Sequence, residues 1–288
     1  MHMAAFAALG MAEWHYQRLP VPPELFAETV RALGPLGFRG ANVTIPHKEA
    51  ALALADSASE AAREIGAANT LCFAADGAIV AENTDAPGLI EAIEEVLAPI
   101  ELTGASALVL GAGGSARAAV WALLRAGAPD VALWARRPER ATALARELGA
   151  RAVERPVGAD LLVNCTPVGL ERDGAASAGE GPPEPADTGP ELIQAAKSPA
   201  ARTSVEIEQS ARETEALNQL ALTIDQLREY SNVVDLVYRT GGTPLLKAAH
   251  SLGLRTLGGG EILVRQGARS FELWTSRKPP LEVMRQAV

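Results

Sequence analysis

Cysteine is scarce in this sequence: Cys72 and Cys165 are the only two in 288 residues. Two thiols so placed build neither a disulfide framework nor a metal site of recognised spacing. Cys165 follows an apolar run and reads as a buried, inert thiol. A basic excess is also missing. Lysine and arginine total 26 against 35 acidic residues, a formal net charge of −9. That argues against sequence-independent nucleic-acid binding, which needs a basic footprint, while local basic clusters can still hold a phosphate. No run is long and apolar enough to span a bilayer. Residues 1–16 are apolar and alanine-rich but carry no basic leader and no cleavage site, so no signal peptide is expected. The cytoplasm is the expected compartment, with no membrane partner.

What is present is the composition of a folded globular chain, 48% hydrophobic and 21% charged. The length accommodates two domains of roughly 100–200 residues each. Residues 1–100 read as alternating helices and short strands. Leu25, Phe26, Val30 and Leu33 have helical spacing. Residues 39–45 read as a strand, with Pro46 in the first turn of the helix that follows. Residues 67–85 read as a hairpin turning at Asp76-Gly77. From about residue 101 the pattern changes to strand, glycine turn, helix and strand (106–137), with further buried strands at 159–170 and 232–238. Apolar strands alternating with helices argue for a parallel, doubly wound sheet. Residues 171–206 are rich in Gly, Ala, Pro and Ser and read as a loop or disordered insertion. Residues 207–222 lack Gly and Pro and have helical character. The end reads as a long helix, a turn at Lys278-Pro279-Pro280 and a short helix.

Gly111-Ala112-Gly113-Gly114-Ser115-Ala116 matches Gly-x-Gly-x-x-Gly/Ala, with a strand before it and a helix after it. Gly111 suits the tight turn, Gly113 the approach of a pyrophosphate, and Ala116 close helix–strand packing. The next strand ends at Ala135, where an acidic residue would bond the ribose of NAD. Arg136, Arg137 and Arg140 follow. Arginine grips a phosphate through a planar fork, so NADP is the expected cofactor. A nicotinamide enzyme also needs a proton donor beside the hydride path. Lys48 and Asp85 are candidates as an ammonium oriented by a carboxylate. Taken alone, Lys48 reads equally as a surface lysine and Asp85 as a helix cap.

The blocks NVTIPHK (42–48), IGAANTL (65–71), ENTDAPG (82–88), LVLGAGGSARA (108–118), NCTPVG (164–169), VVDLVYRTGGTPLL (233–246) and GGGEILVRQGARSFELW (258–274) occur in this order. Together they resemble the shikimate dehydrogenase family over most of the chain. The resemblance implies an N-terminal α/β substrate domain and a Rossmann-type NADP domain, with the active site in the cleft between them. It implies Lys48 and Asp85 as the catalytic pair. Thr44, Asn69 and Gln266 would bond the substrate, and Tyr238 would lie near substrate and nicotinamide. Arg136 keeps the central arginine of the phosphate motif, with Ala135 in place of an asparagine; Arg137 completes that motif and Arg140 matches a second arginine. Thr166 would line the nicotinamide end, and Gly258 is counted with the cofactor site. The expected reaction is reversible NADPH-dependent reduction of 3-dehydroshikimate to shikimate, in chorismate and aromatic amino acid biosynthesis. A quinate/shikimate dehydrogenase using NAD(P), a non-catalytic ligand-binding derivative and a folate-type dehydrogenase are the alternatives.

The resemblance also implies a first strand and a Ser-x-Ser turn for the substrate carboxylate, ahead of residues like those at 1–6. The sequence given opens at MHMAAF, truncated relative to the family. A strand missing from within a sheet is expected to leave unpaired edges on both sides. The expected divisions are 1–103 for the substrate domain, 104–255 for the NADP domain, with an insertion at about 170–218 on its surface, and 256–288 for a helical segment returning to the substrate domain. The expected assembly is a monomer or homodimer acting on a small molecule, with no metal.

Overall fold

The computed structural model describes residues 1–170 and 199–288, the side chains of 199–208 excepted. Two sheets organise it. The first is built from β1 (Gly40–Asn42), β2 (Ser57–Ala58), β3 (Thr70–Phe73) and β4 (Ile79–Glu82), in the order β1-β3-β4-β2. β3 and β4 form the expected hairpin, and Gly77 takes the positive φ of 90° that its turn requires. β1 pairs antiparallel with β3, and β2 parallel with β4. β1 is an edge strand, with β3 on one side and no strand on the other among the described residues, and residues 11–22 ahead of it form no strand. Helices α2 (Phe26–Leu33), α3 (Lys48–Leu54) and α4 (Glu60–Ile65) lie beside it, while α1 (His2–Ala8) packs with Val264, Phe271 and Met284 from the end of the chain. Phe26, Val30 and Leu33 bury the apolar stripe of α2 against Leu71, Phe73 and Ile79.

The strand at 39–45 proves shorter than expected, ending at Asn42. Pro46 is not in the first helical turn either. It follows Ile45 in a cis peptide, the N–H of His47 closes a turn on the Thr44 carbonyl, and α3 starts at Lys48. Val43 still donates to the Asn69 carbonyl at 2.7 Å, so the chain leaves the sheet only after it.

The second sheet has the order β10-β9-β8-β5-β6-β7, all parallel. Its strands are β5 (Ala107–Leu110), β6 (Val131–Trp134), β7 (Arg151–Ala152), β8 (Leu161–Asn164), β9 (Asn232–Asp235) and β10 (Arg255–Gly258). The four central strands β5, β6, β8 and β9 are buried along their whole length. That is the signature of a sheet covered on both faces. Helices α5 (Asp85–Val96), α6 (Gly114–Arg125) and α7 (Pro138–Leu148) cover one face. The other face is covered by α8 (Pro199–Gln219), α9 (Ile224–Leu227) and α10 (Pro244–Ser251). This is a doubly wound sheet whose connections reverse direction between β5 and β8, the place where such sheets hold ligands.

The loop expected over 171–206 divides in two. Residues 171–198 lie outside the described residues, whereas 199–206 are helical as part of α8. Pro199 opens α8, and no further Gly or Pro interrupts the chain before its end. The insertion is also not wholly on the surface. Ala216 and Leu217 are buried, and Leu217 packs in the cluster formed with α10 and the sheet.

The chain finishes with α11 (Gly259–Thr275) and α12 (Leu281–Gln286). α11 packs along α5, and Gly88 makes the approach close: a Cβ there would stand 2.8 Å from the Gln266 nitrogen. Glu261 ties these helices together. It accepts from Arg265 at 2.7 Å and from Arg285 at 2.8 and 2.9 Å, while Arg265 also reaches Glu95 of α5. The Arg285 hydrogen bonds and then those of Arg265 hold the Glu261 carboxyl down at about 2, against the opposing effect of burial. A depressed carboxyl stabilises the fold above its unfolded value near 4.5, and that stability is lost as pH falls towards 2. Glu261→Gln should lower unfolding free energy by about 1 kcal/mol at pH 7. In urea titrations, the difference from the unaltered chain should shrink between pH 4.5 and pH 3.

Candidate active site

Three helix starts converge between the two sheets. Lys48 is the first residue of α3, Asp85 the first of α5, and Ser115 the second of α6. Lys48 Nζ donates to Asp85 Oδ2 at 2.5 Å and to Ser115 Oγ at 2.9 Å. The Lys48 and Asp85 side chains are only 11% and 15% exposed. An acidic residue in a first helical turn is favoured by the helix dipole, and a cation there is not. Asp85 thus supports α5 directly and offsets the unfavourable placement of Lys48 on α3. Removing one partner from so enclosed a pair leaves an uncompensated charge, at about 3–5 kcal/mol.

Asn69, just before β3, extends the cluster. Its Nδ2 donates to Asp85 Oδ1 at 2.9 Å, Thr84 Oγ1 at 2.9 Å and Gln266 Oε1 at 3.1 Å. Its Oδ1 accepts from the Thr84 N–H at 2.7 Å. An amide has two hydrogens for those three acceptors, so one bond is shared. Gln266 arrives from the middle of α11 and spends its own Nε2 on the Leu263 carbonyl at 2.9 Å. The network continues through Thr84 and Thr70 to Asn42 and Tyr16. Thr84 and Tyr16 are members that sequence reasoning missed. Thr84 could have been found inside the ENTD block; nothing in the sequence marks Tyr16.

Of the residues singled out from sequence, Lys48, Asp85, Asn69, Gln266 and Ser115 are brought together. Thr44 is exposed in the turn after β1, and Tyr238 is 54% exposed beyond β9. Neither bonds to the cluster among the described residues. Partial burial, and then the neighbouring Tyr238 phenol, raise the titration of Tyr16, which puts Tyr238 on the same side as that end of the network.

The glycine turn sits beside the pair. Gly111 has φ 115°, and a Cβ on it would meet the Cys165 backbone at 3.2 Å and Thr166 Cγ2 at 3.4 Å. A Cβ on Gly113 would meet nothing within 4 Å. Open space above a glycine, next to the unpartnered N–H groups that begin α6, suits a pyrophosphate. Arg136, Arg137 and Arg140 are exposed around the start of α7 and form no ion pair among the described residues. The chain therefore fits a phosphorylated dinucleotide with its own donors. Gly258 ends β10 and precedes α11, at the same edge of the sheet as Leu110, Asn164 and Asp235. Among the described residues no group of acidic, histidine and cysteine side chains is placed to hold a metal, and no helix is long and apolar enough to cross a membrane.

A second buried network lies beneath that edge, and sequence reasoning missed it too. Asp235 accepts from Asn164 Nδ2 at 2.9 Å, Thr243 Oγ1 at 2.6 Å and the Val237 N–H at 3.1 Å. Asn164 in turn accepts from the Thr166 hydroxyl at 2.7 Å and holds that residue in place. The available signal was a polar residue closing each of two apolar strands, Asn164 after Leu161–Val163 and Asp235 after Val233–Val234. Burial pushes the Asp235 carboxyl up to about 6, against the pull of its hydrogen bonds. The folded chain therefore holds this proton more tightly than the unfolded chain does. The Asp235 contribution is most favourable below pH 4 and is lost as pH rises to about 6, on the order of 2–3 kcal/mol in all. Asp235→Asn should flatten this part of the stability profile, read by thermal unfolding between pH 4 and pH 7.

The comparisons with known proteins agree with this geometry. The family model for the shikimate dehydrogenase substrate binding domain matches residues 1–71, and that for the shikimate 5'-dehydrogenase C-terminal domain matches residues 259–288. Shikimate dehydrogenase (NADP(+)) of Methanothermobacter thermautotrophicus is 35% identical, covering 100% of this chain and 89% of its own. The protein of the same name from Thermus thermophilus is 38% identical, covering 100% and 90%. Among solved structures, a Thermus thermophilus shikimate 5-dehydrogenase in complex with NADP(H) and shikimate superposes with a TM-score of 0.73 at 35% identity over 99% of this chain and 91% of that one. Shikimate dehydrogenase from Aquifex aeolicus gives a TM-score of 0.76 at 29% identity, covering 99% and 90%. A fold of two α/β layers around a lysine–aspartate pair, with relatives of this identity along its whole length, places the chain in the shikimate dehydrogenase family.

Proposed function

We propose that this chain catalyses the reversible NADPH-dependent reduction of 3-dehydroshikimate to shikimate, a cytoplasmic step of chorismate and aromatic amino acid biosynthesis. The observation that carries the reading is the enclosed Lys48–Asp85 pair, set against the first turn of α6. The relatives' activity, and the shikimate and NADP(H) in the Thermus structure, support it. Residues 1–103 serve as the substrate domain and 104–255 as the cofactor domain. Residues 256–288 return to the first domain, where α11 brings Gln266 to Asn69. All of these residues come from one chain, so a monomer or a homodimer would serve.

NADPH, when bound, supplies the hydride to the ring carbonyl carbon. The backbone of Gly111, Ala112, Gly113, Gly114, Ser115 and Ala116 would form the bed for its pyrophosphate, and the side chains of Arg136, Arg137 and Arg140 would hold the 2′-phosphate. Thr166 and Gly258 bound the nicotinamide end. Lys48 gives a proton to the oxygen on which charge develops, and Asp85 fixes the direction of its N–H groups. Gln266 and Thr44 bond the ring hydroxyls, and Asn69 trades its shared hydrogen bond for a substrate oxygen. Tyr238 closes over the substrate from the exposed side.

Shikimate and NADP mixed with the purified chain should give a steady rise in absorbance of the reduced nicotinamide, slower with NAD or with quinate. A chain that binds NADP but reduces it with neither shikimate nor quinate would be a binding derivative of the fold instead. Replacing both Arg136 and Arg137 with alanine should raise KM for NADP by about tenfold or more, in line with hydrogen bonds to a charged group. KM for NAD should stay nearly unchanged. An equal loss for both cofactors would remove these arginines from 2′-phosphate recognition.

A further inference from the structure

We infer that the Ser115 side chain is a positioning residue for Lys48, so that the cofactor-binding turn itself aims the proton donor. The inference rests on the reading of Lys48 given above. A serine in a glycine-rich turn is ordinarily counted with the phosphate-binding donors. Here its hydroxyl is otherwise engaged: Ser115 Oγ stands 2.9 Å from Lys48 Nζ and accepts one of its hydrogens. The neighbouring glycine serves the same contact. A Cβ on Gly114 would lie 2.8 Å from Lys48 Cβ and 3.0 Å from its Cδ. Two adjacent residues of the turn thus receive the lysine, one its stem and the other its head. Gly113, just before them, faces open space and remains available to a pyrophosphate.

An ammonium has three hydrogens. Asp85 Oδ2 takes one and Ser115 Oγ takes another. Two fixed bonds in different directions leave a single direction for the third, and that hydrogen is the one available to the substrate oxygen. With Asp85 alone, two hydrogens would remain to be shared between the substrate oxygen and water, and one anchor would restrain the head of a long, flexible side chain less than two. The two anchors also follow strands of different sheets: Asp85 opens α5, which comes after β4 of the first sheet, and Ser115 lies on α6, which follows β5 of the second. The aim of Lys48 is therefore complete only when the domains stand as they do here. Proton donation becomes dependent on the position of the turn that carries the cofactor.

The test is steady-state kinetics on full-length Ser115→Ala and Ser115→Thr, with NADP affinity measured separately by fluorescence titration and folding checked by thermal unfolding. Ser115→Ala should lower kcat by about tenfold, the scale of one hydrogen bond to a charged group, with Kd for NADP changed less than twofold. Ser115→Thr, which keeps a hydroxyl at the same position, should recover most of the loss. A kcat for Ser115→Ala within twofold of the unaltered chain would overturn the inference. So would a loss seen in NADP affinity rather than in kcat, or an equal loss in both variants. Absence of turnover in the unaltered chain would instead remove the reading of Lys48, and this inference with it.

Discussion

The ion pair between Lys48 and Asp85 is the contact on which the rest of the site depends. It joins two helix starts that would otherwise be only neighbours, and it does so where both side chains are largely out of water. A pair so enclosed is stable only while each charge keeps its partner and its further hydrogen bonds. Asn69 supplies one of these to Asp85, and Ser115 takes one from Lys48. Asn69 is in turn fixed by Thr84 and Gln266, so α11, far along the chain, is tied to the same charge. The close packing of α11 on α5 across Gly88 is what allows that reach.

The two sheets divide the work in a physically sensible way. The parallel sheet, buried on both faces, supplies a rigid edge at which Leu110, Asn164, Asp235 and Gly258 stand in register. A rigid edge can hold a dinucleotide against a helix start without reorganising. The smaller first sheet and the helix starts next to it in the chain carry Lys48, Asn69 and Asp85. Lys48 belongs to the first part of the chain and touches the second through Ser115.

Much of this is legible in the sequence because local rules decide it. The glycine turn, the buried strands around it and the Asp76-Gly77 hairpin follow from backbone sterics and apolar runs. Lys48 and Asp85 stand out only as residue types, and the order of the seven blocks gives them roles. What is not legible depends on distance through space. Ser115 looks like part of a phosphate loop until Lys48 is seen to lie on it. Asp235 closes an apolar strand and signals nothing about the buried network it anchors. Residues 199–206 share the composition of the preceding segment and so read as loop, yet α8 runs through them, and no Gly or Pro falls between Ala200 and Gln219. Pro46 reads as a helix opener, but the turn at Thr44–His47 delays the helix to Lys48.

The central claim is that Lys48 moves a proton and does not merely hold the fold. Its most direct test is the turnover number of Lys48→Ala with shikimate and NADP, alongside NADP binding by the same preparation. Proton donation by a positioned side chain contributes roughly 100- to 10,000-fold to a rate. The account expects a fall in kcat of that order with NADP affinity retained. A variant that turns over within a few fold of the unaltered chain would contradict it.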